Sequence, residues 1–184
     1  MTDPAAPGRA SRDPATAFAA LQCAGRTVRL LLRGHLHLRR DGVGSTVAVP
    51  GGRRFTLFRE SSCDAWGDTD AEEVTLLVWF HLRGTTPRSH WRSWVFERES
   101  ILNTLLYAGF DGYRRKLWLV DRASADYAGL YAWAGHASAE RYARYITRLL
   151  RPLSTRGSVG SSIIDRSLAS SLGASRSPSG CPGR

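Results

Sequence analysis

One histidine, one lysine and four large aromatic side chains are the residues of this chain best suited to chemistry. His81 falls at the end of the apolar run VTLLVWFHL (74–82), beside Trp79 and Arg83. An imidazole titrates near neutrality, which suits it to act as a base. A strand-end histidine can equally be held by hydrogen bonds to backbone and do nothing catalytic. Lys116 opens KLWLVD (116–121), two residues from Trp118 and so on the same face of an extended strand. A lone cation among aromatics needs a carboxylate, a π face or an anionic ligand. A structural carboxylate would be Glu97 or Glu99; a functional Lys116 would stabilise an anion or enolate. Trp79, Trp118, Tyr131 and Trp133 lie on runs that read as strands. Same-face rings on adjacent strands can wall a flat apolar pocket for a small aromatic ligand, or fill a dimer core.

Other candidates are weaker. His35 and His37 are spaced i, i+2, which puts them on one face of a strand but apart on a helix. No third ligand is evident beside them, so no metal site is expected. His90 and His136 fall near helix starts, where capping or exposure is the ordinary role. GSVGSS (157–162) matches neither G-x-S-x-G nor the Gly-Lys pair of a phosphate loop.

The elements that must position these residues follow from periodicity. Val74, Leu76, Val78, Phe80 and Leu82 fall on one face of this run and Thr75, Leu77, Trp79 and His81 on the other, so it reads as an apolar strand covered on both faces. Helices cover one face in a small α+β domain; the other needs a second sheet, most simply from another subunit. Thr86-Pro87 suits a helix N-terminus, and Trp91, Val95, Arg98, Leu102 and Leu105 continue it at helical spacing. Arg114 to Asp121 and Tyr127 to Ala134 read as a hairpin joined by RASAD. Ala139, Tyr142, Ala143, Ile146, Leu149 and Leu150 mark a helix that stops before Pro152. Gly157 to Ile164 is a weaker last strand. Upstream, Phe18 to Leu38 reads as an amphipathic basic helix, packed on the domain with its arginine stems along the surface in the favoured reading, and on a membrane surface or a partner in the other. Gly44–Val49 and Arg54–Arg59 read as a hairpin around Pro50-Gly51-Gly52, and residues 61–73 as a linker.

The net charge is +10, but its location matters. Residues 1–40 carry seven Arg against two Asp, and residues 151–184 carry five Arg against one Asp. The middle is close to neutral, and no element concentrates cations with stacking aromatics, so nucleic acid is not an expected partner. Only one of the 26 basic residues is Lys. Three cysteines, Cys23, Cys63 and Cys181, have no metal or disulfide spacing and suggest a reducing, cytoplasmic setting. No run is long and apolar enough to cross a membrane, although the basic N-terminal helix can touch a membrane surface.

Strand, helix, hairpin, helix, strand over 74–164 is a ferredoxin-like βαββαβ order. With KLWLVD, YAGLYAW and ASAERYARY in sequence, it resembles the YdhR-type mono-oxygenase family of the dimeric α/β-barrel superfamily. The residues that carry the likeness are Lys116, Trp118, Gly129, Tyr131, Trp133, Ala139 and Tyr142. The resemblance implies an α+β fold, a homodimer with two sheets face to face, and a small apolar or aromatic ligand. It also implies oxygenase chemistry without a tightly bound metal or flavin. His81 would be the base, Lys116 the anion stabiliser, and Trp79, Trp118, Tyr131 and Trp133 the ligand wall. The superfamily also holds non-catalytic proteins, so a ligand-binding or structural domain is the alternative. The expected organisation is a disordered 1–15, an N-terminal helix and hairpin extension with linker over 16–73, the ferredoxin-like domain over 74–164, and a disordered Ser/Gly/Arg tail over 165–184.

Overall fold

The run that is apolar on both faces becomes a central strand. In the computed structural model, which describes residues 14–40, 42–65, 72–86, 104 and 107–173, β4 spans Glu73–His81. It is paired on one side with β6 (Asp126–Ala134) and on the other with β7 (Gly160–Ile164). β6 also pairs with β5 (Tyr113–Asp121), its hairpin partner. The order β5-β6-β4-β7, antiparallel throughout, is that of a ferredoxin-like sheet. The helix expected from Thr86 onward, with His90, Glu97 and Glu99, lies outside the described residues.

Three further strands precede this unit. β1 (Leu36–Arg39) and β2 (Thr46–Ala48) both pair with β3 (Arg54–Cys63), and β3 pairs with β5. Ser61 to Cys63, read as the start of a linker, therefore belong to the sheet. Their side chains alternate inward, and Ser61 faces Lys116 across the β3–β5 pair. The N-terminal helix α1 (Pro14–Leu32) is shorter than the Phe18–Leu38 pattern suggested. Gly34, at φ 72°, ends it. The Gly34 N–H donates to Leu31 O and the His35 N–H to Leu30 O, which closes the helix and turns the chain into β1. His35 and His37 are thus not helical.

The sheet divides the core in two. On one face Leu76, Val78, Tyr113, Trp118, Tyr127, Tyr131 and Trp133 pack beneath α2 (His136–Leu150), which contributes Ala139, Tyr142, Tyr145, Ile146 and Leu150. On the other face lie Phe55, Leu57, Leu77, Leu117, Leu119, Leu130 and Ala132. Leu117, Leu119 and Leu130 are at most 1% exposed in the single chain. Their cover is Val47 and Val49 of the β2–β3 hairpin, together with Leu168 of α3 (Leu168–Gly173). The face for which a second subunit was expected is covered from within the chain. This also corrects the reading of residues 165–173 as part of a disordered tail. Leu168 is 1% exposed, its N–H donates to Glu73 Oε1 at 2.9 Å, and Thr75 Oγ1 donates to Arg166 O at 2.8 Å. Leu168, with Leu172 packed against the same cluster, docks a segment rich in serine.

Candidate functional site

Register assigns each candidate residue to a face, because directly opposed residues share one. Lys116 lies opposite Tyr131, which lies opposite Leu76. His81 lies opposite Asp126, and Trp79 opposite Ala128. Lys116, Trp118, Tyr131 and Trp133 therefore lie under α2, whereas Trp79 and His81 lie on the opposite face. The two expected catalytic residues are separated by the sheet and cannot act on one ligand. The odd spacing between Trp79 and Phe80 decides this, since Phe80, not Trp79, joins the helix-side cluster.

On the α2 side the space around Lys116 is filled by rings. Its Nζ lies 3.0 Å from the Trp118 ring centroid, 4.2 Å from Tyr107 and 4.6 Å from Tyr131. No carboxylate among the described residues pairs with it. Burial, and then the charge of Arg59, push its pKa well below the usual lysine value. The electron-rich ring faces act in the opposite sense, favouring the ammonium. Around this cage, Ser61 Oγ is 2.7 Å from the Tyr107 hydroxyl and 2.8 Å from that of Tyr113. The Tyr142 hydroxyl donates to that of Tyr131 at 3.3 Å, and Trp133 packs on Tyr113, Tyr131 and Tyr142. Burial raises the pKa of Tyr107, Tyr113, Tyr131 and Tyr142 above the ordinary phenol value, so these hydroxyls stay protonated. Gly129 is required here, since a Cβ would meet the Tyr131 ring at 2.7 Å.

The opposite face holds open space. A cavity of about 220 Å³ is lined by Val49, Pro50, Arg53, Phe55, Leu77, Trp79 and Ala128. Trp79 lies across Gly160, where any Cβ would collide with the indole. At one end Arg53 pairs with Asp126, whose other oxygen is 2.8 Å from His81 Nδ1. Arg53 also lies 3.7 Å from Asp121 and stacks over Phe55 at 5.0 Å. Burial draws the Asp126 carboxyl upward, but hydrogen bonds from His81, Arg53 and Ser124 outweigh it and hold the group below its usual value. An ionised Asp126 accepts the Nδ1 proton of His81 and leaves Nε2 as the proton acceptor. His81 is not itself in the cavity wall; Arg53 and Asp126 connect the two.

Sequence reasoning missed Arg53 and Asp126. Asp126 sits in RASAD, which reads as a turn, and only the β4–β6 register sets it against His81. It also missed Asp64 as the companion of the paired histidines. His35 Nδ1 is 2.8 Å and His37 Nε2 3.2 Å from its two oxygens. Hydrogen bonds from His37 and then His35 lower the Asp64 pKa. Among the described residues no such group has the arrangement to hold a metal.

No protein-family model and no curated protein matches the chain. Two solved structures are similar to it. One is LmHde, a heme-degrading enzyme from Listeria monocytogenes, 14% identical with a TM-score of 0.43, over 74% of this chain and 90% of that one. The other is an uncharacterized ferredoxin-fold protein related to antibiotic biosynthesis monooxygenases, also from Listeria monocytogenes. It is 10% identical with a TM-score of 0.42, over 74% of this chain and 85% of that one. The ferredoxin-like assignment of this chain rests on its own strand order.

Proposed function

We propose that the chain binds a small apolar or aromatic ligand in the Trp79 cavity and acts on it as a mono-oxygenase. The observation that carries this reading is the His81–Asp126–Arg53 chain beside an apolar cavity of about 220 Å³. That volume lies below the range of drug-sized sites and suits a ligand of one or two rings. In this reading Asp126 orients His81, and a phenol or enol whose hydroxyl end extends from the cavity past Arg53 gives its proton to His81. The resulting anion is electron-rich enough to react with dioxygen. The O–O bond breaks and a ring C–H is replaced by C=O: one oxygen atom becomes the second carbonyl of a quinone, the other leaves as water with the ring hydrogen and the hydroxyl proton, and the ligand supplies all four electrons. Arg53, at the cavity end, compensates the developing negative charge. This assignment moves the site away from Lys116 and keeps His81 and Trp79 from the sequence reading.

The test uses a small phenol as probe. Trp79 fluorescence should change on titration, and oxygen uptake should follow. His81→Ala should leave the fluorescence titration in place and lower oxygen uptake by about 100-fold or more. Unchanged uptake in His81→Ala would remove the base from this mechanism.

A second reading is a non-catalytic ligand-binding or structural domain. The packing of Tyr107, Trp118 and Tyr131 around Lys116 favours it, because the helix-side space is occupied by the protein's own rings. Phenol binding without oxygen uptake in the unmutated protein would decide for it.

A further inference from the structure

α1 is two-sided. Its inward residues, Cys23 and Thr27, are buried, and Ala20 and Leu30 pack against the core. The fit is close: at Gly109 a Cβ would collide with the Cys23 carbonyl. Its outward residues are large and apolar. Phe18 is 62% exposed, Leu21 71% and Leu32 83%, with Val28 also exposed. Phe18, Leu21, Gly25, Val28 and Leu32 recur at steps of three and four, so they form one stripe along about 20 Å of helix. Arg26, Arg29 and Arg33 run alongside it, all exposed. Arg26 pairs with Asp111 at 2.9 Å; α1 itself contains no carboxylate.

We propose that this outward face of α1 lies on an anionic membrane surface. The stripe would enter the acyl boundary while the arginines meet lipid phosphates and carboxylates. Charge decides between this occupant and a second copy of the helix. With Arg26 answered by Asp111, two copies packed stripe to stripe bring Arg29 and Arg33 of one against those of the other, with no acid on either helix to answer them. No described helix is long and apolar enough to cross a membrane, so α1 lies on the surface. The inward residues stay on the protein, and docking requires no unfolding.

The test is co-sedimentation of the full chain with phosphatidylcholine vesicles, with and without phosphatidylserine. Binding is expected only with phosphatidylserine and should fall with added salt. Arg29→Glu with Arg33→Glu should weaken it by about tenfold or more. Leu21→Glu with Val28→Glu should weaken it comparably. Both changes lie on exposed positions, and an unchanged circular dichroism spectrum checks the fold. Binding that survives both double variants would place the contact on the arginines of the chain ends and overturn the proposal. Equal binding to vesicles without phosphatidylserine would overturn it as well. So would a dimer in light scattering that the Leu21→Glu, Val28→Glu variant dissolves.

Discussion

At Lys116 a primary amine is enclosed by Tyr107, Trp118 and Tyr131, with no paired carboxylate among the described residues. Holding a charge there is costly, and a methionine of similar length fills the same space without that cost. Lys116→Met is therefore expected to leave stability unchanged or raise it by about 1 kcal/mol, with phenol binding intact, as read by urea unfolding and Trp79 fluorescence. A loss of several kcal/mol would show that the ammonium anchors the cage. Asp126 gives a pH signature. Its folded pKa lies below the ordinary 3.8, so its contribution to stability is complete above that value. The contribution is lost as pH falls through the lower folded-state value. Arg53→Ala removes one of the hydrogen bonds that hold the carboxyl down, so acid unfolding should begin at higher pH than in the unmutated protein. An unmoved acid limb would mean that His81 and Ser124 suffice.

Among the elements, α3 tests the reading of the C-terminal segment most directly. Leu168 is 1% exposed against the sheet, so Leu168→Ala should cost about 2–3 kcal/mol. Ending the chain before residue 165 should cost at least as much, seen as a thermal midpoint lowered by about 5–10 °C. Strands and the second helix were legible because their apolar residues follow one period for the whole element. The runs expected at 74–82, 114–121 and 127–134 became β4, β5 and β6, each end within one residue. α3 was not legible, because its docking rests on two leucines, Leu168 and Leu172, in a short segment rich in serine. The proposed site was half legible. His81 and Trp79 carry their own signal in residue type and position. Arg53 and Asp126 do not, since their roles arise from pairing between segments far apart in sequence.

For the molecule as a whole, the second face of the sheet is the deciding feature. Its leucines are buried by Val47, Val49 and Leu168 of the same chain. A partner sheet on that face would have to displace the β2–β3 hairpin and α3. In detergent-free solution without lipid, light scattering is expected to return the mass of one chain, 20.3 kDa. A concentration-independent mass of twice that would show that another surface joins two copies.

The place of β3 between β1 and β5 also bears on how the protein is made. β3 is complete once residue 63 has been synthesised, yet the strand on its inner edge begins at Tyr113. At ordinary elongation rates that edge waits several seconds without its partner. Throughout that interval Phe55 and Leu57 have no leucines to pack against, and an open strand edge invites pairing with other nascent chains. The hairpin that spares the finished protein an exposed apolar face is thus the part that most needs shielding as it leaves the ribosome.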